Sequence, residues 1–94
     1  MKDKTIWKFP LKLTDGQNIS FPIGSKFLSI QDQNGIPCLW ALVDPDADTE
    51  IRFIEIFGTG SPVGYDMGVR RKYISTFQMQ GRTFVYHAFE YTGV

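Results

Sequence analysis

The chain reads as an all-β protein, mostly antiparallel, with about seven short strands forming a small sandwich or partly open barrel. Three observations predict this. Apolar residues alternate with polar ones at period two in most segments, and no segment of ten or more residues sustains a helical period. Turn residues recur at close spacing, with nine glycines and five prolines. The aromatic load of eight Phe, four Tyr and two Trp also suits strands.

The first strand spans residues 4–13, with Trp7, Phe9, Leu11 and Leu13 on one face and Lys4, Lys8, Pro10 and Lys12 on the other. Pro10 has no N–H for a ladder, so this strand belongs at an edge or leaves its pairing there. Its lysines guard such an edge. After the turn at Thr14-Asp15-Gly16, residues 18–23 place Ile19, Phe21 and Ile23 on one face. Residues 26–31 form a third strand, with Leu28 and Ile30 together and Ser29 and Gln31 opposite.

Asn34-Gly35 is the strongest hairpin signal, since both residues tolerate the positive φ of a type I′ turn. The fourth strand, residues 36–43, is apolar on both faces: Cys38, Trp40 and Leu42 on one, Leu39, Ala41 and Val43 on the other. That pattern predicts a central strand covered on both sides. An acidic loop links it to a fifth strand, residues 50–57, as a central pair. There Ile51, Phe53 and Phe57 oppose Ile54 and Ile56. Residues 58–68 carry four of the nine glycines and Pro62, and residues 66–72 are expected to hold at most one short helical turn. Residues 73–80 and 83–91 pair as a last hairpin across Gly81-Arg82. Trp7, Trp40, Phe53, Phe57, Phe77 and Phe84 are the expected core aromatics.

Ninety-four residues predict one domain, 1–94, with a small core. Ten basic and ten acidic residues cancel, which argues against general nucleic-acid or membrane binding. A lone cysteine, Cys38, excludes an internal disulfide framework and fits a reducing, cytoplasmic setting. The N-terminal stretch has no long apolar region of a signal peptide. Strands apolar on both faces need more cover than a chain of this size supplies, which predicts a homo-oligomer.

The segments IWKF, LSIQ, PCLWALVDP, FGTG, YISTFQ and FVYHAFE, in this order, resemble a family of small uncharacterised proteins of bacteriophages, prophages and some bacterial genomes. The resemblance covers nearly the whole chain. It implies a compact β-rich domain of phage or mobile-element origin, acting in a bacterial host cell, and it carries no activity. Ser61 stands where many relatives have a histidine after GTG, and residues 64–72 are longer than usual.

The acidic loop places carboxylates of Asp44, Asp46, Asp48, Glu50 and Glu55 at the ligand positions of an EF-hand calcium loop. Thr49 replaces the required glycine and the flanks read as strands, so a solvated acidic turn is expected and no metal site. His87 alternates with Val85 and Phe89, which predicts a partly buried, hydrogen-bonded side chain. A nucleophile pair of Cys38 and His87 lacks any local signature, the serines lack a nucleophile elbow, and Glu50, Glu55 and Glu90 show no acid/base spacing. A non-enzymatic protein without cofactors is therefore expected.

The segment with binding chemistry is the glycine loop and the basic run after it. Thr59, Gly60, Ser61, Tyr65, Arg70, Arg71 and Tyr73 suit a small anionic ligand. Backbone amides and guanidiniums would meet the anion, and a tyrosine would stack on a base. The expected function is sequestration of a cyclic-nucleotide-type signal used in host defence. The alternatives are an inhibitor that blocks a host protein through an aromatic or edge-strand surface, and a minor virion structural or assembly protein. An exposed loop with a solvated basic face is the bland counterpart of the site.

Overall fold

The computed structural model describes residues 3–63, 70–79, 81 and 83–92. Seven antiparallel strands form two sheets: β1 (Thr5–Pro10), β2 (Gly16–Pro22), β3 (Lys26–Gln33), β4 (Ile36–Val43), β5 (Thr49–Gly58), β6 (Arg71–Met79) and β7 (Phe84–Tyr91). One sheet has the order β1-β4-β3 and the other β2-β5-β7-β6. They pack as a small sandwich with β3 alongside β6 and do not close into a barrel.

The strand boundaries follow the turn chemistry. β1 pairs only with β4 and stops at Pro10, as the missing donor requires. Asn34 and Gly35 turn β3 into β4 with φ of 56° and 88°, and the Asp32 carboxylate accepts from the Gly35 amide at 2.7 Å. The period-two alternation then fills the space between the sheets. Phe21, Ile30, Leu39, Ala41, Val43, Ile54 and Ala88 are fully or almost fully buried there, with Ile56, Phe77 and Met79 beside them. Burying one such large side chain contributes about 1.5–3 kcal/mol.

Several expectations need correction. β4 and β5 are not a pair: each is interior to its own sheet, and the acidic loop crosses between sheets. β4 is not covered on both sides; Leu39, Ala41 and Val43 face the core, while Trp40 and Leu42 lie half-buried on the outer face of the three-stranded sheet. Leu28 does not share a face with Ile30. The ladder skips from Phe27 to Ser29, so a bulge leaves Leu28 exposed and turns Phe27 inward beside Ile30. Of the six aromatics expected inside, only Phe77 is buried. Phe53 and Phe57 point out of the four-stranded sheet, Trp7 sits at the rim, Phe84 is exposed at a strand end, and Phe21 is the central aromatic. The expected helical turn over 66–72 fails at Arg71 and Lys72, which open β6; its residues 66–69 lie outside the described residues.

Candidate functional site: the outer face of the four-stranded sheet

The register of β5, β7 and β6 builds three rows of outward side chains. Phe57, His87 and Thr76 lie opposite one another in the first, Glu55, Phe89 and Tyr73 in the second, and Phe53, Tyr91 and Arg71 in the third. Phe57 meets Phe89 edge-on at 6.0 Å, Tyr73 meets Phe89 at 5.7 Å, and Phe53 meets Tyr91 at 6.4 Å between ring centres. These are the T-shaped contacts that aromatic quadrupoles favour. Gly16 on β2 makes room for the end of the Phe53 ring, which would clash with a Cβ there.

An ion pair is set into these rings. Arg71 Nε donates to Glu55 Oε1 at 2.6 Å and its Nη2 to Oε2 at 3.2 Å. The guanidinium also stands 5.6 Å from the centre of Phe57 and 5.2 Å from that of Tyr91. Such a two-point, ring-flanked pair fixes the arginine far better than a surface ion pair would.

His87 is held from both sides, as its partly buried position predicted. Nε2 lies 2.8 Å from Thr59 Oγ1, and Nδ1 lies 3.0 Å from Thr76 Oγ1, which in turn is 2.7 Å from the Tyr73 hydroxyl. Thr59 Oγ1 also donates to the Val85 carbonyl at 3.3 Å. The imidazole is thus bracketed by two hydroxyls, in a chain of contacts that runs from Tyr73 through Thr76, His87 and Thr59 to the Val85 carbonyl.

Above this chain the loop after β5 makes a wall. Phe57, Gly58, Thr59, Gly60, Ser61, Val63, His87 and Phe89 enclose a mostly apolar cleft of about 230 Å³. Ligand pockets usually run about 300–1,000 Å³, so this one admits a single planar ring. Across Phe57, Gly58 and Ser61 lies a second hollow, also lined by Asp15, Glu55, Pro62 and Arg71.

The structure brings together some of the expected site residues and separates others. Thr59, Gly60 and Ser61 line the cleft, and Tyr73 supports it through Phe89 and Thr76. Arg71 is next door, bound to Glu55. Arg70 is exposed at the far end of β6, where its carbonyl accepts from the Thr92 amide at 2.7 Å. Tyr65 lies outside the described residues. The amides of Thr59 and Ser61 bond to the carbonyls of Val85 and Gly58, which removes two donors from an anion nest. Sequence reasoning missed Phe57, Phe89 and Glu55 as site residues; only the cross-strand register reveals them. The acidic loop folds as the expected turn, with the Asp44 carboxylate on the Asp46 amide at 3.0 Å and Glu50 on the Gly24 amide at 3.2 Å.

Fold and site define a small two-sheet β-sandwich with a side-chain-lined cleft on one outer face. Its family follows from the sequence match: the chain belongs to DUF7352, a domain of unknown function, whose family model covers residues 2–93. No curated protein and no solved structure matches it. Among the described residues no helix is long and apolar enough to cross a membrane.

Proposed function

We propose that this is a non-enzymatic binding protein that holds a nucleotide-type ligand by its base in the cleft of Phe57, Thr59, Gly60, Ser61, His87 and Phe89. The observation that carries this reading is the cleft itself, with aromatic side walls and a histidine locked in one orientation. Arg71 is matched by Glu55, and Asp15 adds a further carboxylate nearby, so the ring rather than the phosphate is the recognised part. Together with the resemblance to phage-associated proteins, this supports sequestration of a nucleotide signal inside a bacterial host as the biological role. The test is thermal unfolding with a panel of nucleosides, nucleotides and cyclic di- and trinucleotides. A ligand at a hundredfold excess over its Kd stabilises by about 2.7 kcal/mol, which raises Tm by several degrees. His87→Ala and Phe89→Ala should abolish the shift. An absence of any shift across the panel at millimolar concentration would refute the proposal.

A second reading has its own observation. Ile51 and Tyr73 on the same outer face are 63% and 62% exposed beside Phe53 and Tyr91, an aromatic surface suited to blocking a host protein. Under that reading a host protein is retained from lysate by the wild type and lost with Tyr73→Ala plus Ile51→Ser, while the nucleotide panel stays silent.

A further inference from the structure

The opposite outer face, on the three-stranded sheet, has a different chemistry. Its register sets Ile6, Leu42 and Lys26 in one row, Lys8, Trp40 and Ser29 in the next, and Pro10, Cys38 and Gln31 in a third. Ile6 is 55% exposed, and Trp40 and Leu42 are half-buried, with no second sheet over them among the described residues. The Lys8 ammonium stands 5.9 Å from the centre of the Trp40 ring and donates to Gln33 Oε1 at 2.7 Å.

The charge on this face is of one sign. Asp32 is the single acidic residue in β1, β3 and β4; it pairs with Pro37 on the inward face and its carboxylate holds the Gly35 amide. Most of the other carboxylates of this neutral chain lie away from these three strands: Asp46, Asp48 and Glu50 in and after the acidic loop, and Glu90 and Glu55 in pairs with Arg52 and Arg71. Asp44 follows the end of β4 and holds the Asp46 amide. Within β1, β3 and β4 the apolar centre is thus flanked by Lys8 and Lys26 with no carboxylate on the same face.

We propose that this face docks an acidic, amphipathic protein segment. Apolar side chains of the segment cover Ile6, Trp40 and Leu42, and its carboxylates meet Lys8 and Lys26. A second copy fits poorly, because face-to-face packing sets lysines against lysines. A nucleic-acid strand also fits poorly, since stacking needs successive open rings and the one ring here lies under an ammonium.

The probe is a short synthetic peptide of alternating glutamate and leucine, with its lysine–leucine counterpart as control. In a Trp7→Phe background Trp40 is the remaining tryptophan, and its fluorescence reports occupancy directly. The expected result is saturable binding at low salt that weakens at least tenfold with Lys8→Glu plus Lys26→Glu and at high salt, with no saturable response to the lysine peptide. Lys26→Glu alone, at an exposed position, gives the same direction should the double variant fold poorly. His87→Ala leaves this binding unchanged, which separates it from the cleft on the other face. The proposal is overturned by an absence of saturable change, by binding indifferent to charge reversal, by preference for an oligothymidylate, or by a light-scattering dimer that buries Trp40.

Discussion

Two arginine–glutamate pairs in this molecule have the same design and different settings. Arg52 reaches Glu90 with two bonds of 2.7 Å, stacks 4.0 Å from the centre of Phe27 and donates to the Ser25 carbonyl at 2.6 Å. It lies on the inward face of β5 and closes one end of the space between the sheets. Arg71 and Glu55 are built alike, on the outward face of the same sheet. The outward pair is nevertheless the better covered, with side chains 10% and 12% exposed against 18% and 14%. Burial there comes from neighbouring rings and the loop after β5 rather than from a second sheet. Sealing a core explains the first pair. The second seals nothing between layers and lies beside the cleft on the outer face.

The largest expected effect breaks the inward pair. Glu90→Ala leaves a guanidinium between the sheets with the Ser25 carbonyl as its remaining partner, and should cost about 3 kcal/mol. A urea unfolding curve would register this as a lower midpoint at unchanged slope. The outward pair should be more forgiving, because Arg71 can swing toward water when Glu55 is removed. Glu55→Ala should cost about 1–2 kcal/mol, and replacing both by Leu and Met should leave stability within about 1 kcal/mol. The same double replacement at Arg52 and Glu90 sharpens the contrast if it costs more, because the Ser25 carbonyl then loses its donor. Equal costs at the two sites would remove the distinction drawn here.

A smaller effect is expected at Gly16, where an added methyl meets the end of the Phe53 ring. Gly16→Ala should cost about 1 kcal/mol through displacement of that ring. A double-mutant cycle with Phe53→Leu should recover most of it, and a fully additive result would sink the explanation.

Much of the fold was legible in the chain. Period-two alternation located the strands, Asn34-Gly35 set a hairpin, and Pro10 set an edge, because each of these is a local constraint on dihedrals or donors. The site was legible only in part. Thr59, Gly60 and Ser61 stood out by type, whereas Phe57 read as ordinary core, Phe89 only as a neighbour of His87 on its strand, and Arg71 as a ligand for an anion rather than the partner of Glu55.

The sequence by itself therefore determined an all-β chain, its Asn34-Gly35 hairpin and, where no bulge intervenes as it does at Leu28, which residues share a face of a strand. The tertiary structure decided which face of each sheet turns inward and which strands are neighbours. That choice put Phe57, His87 and Thr76 in one row and gave Arg71 to Glu55. The physical reason is that alternation is encoded residue by residue, while pairing across 16 to 38 residues is fixed only when the whole core closes.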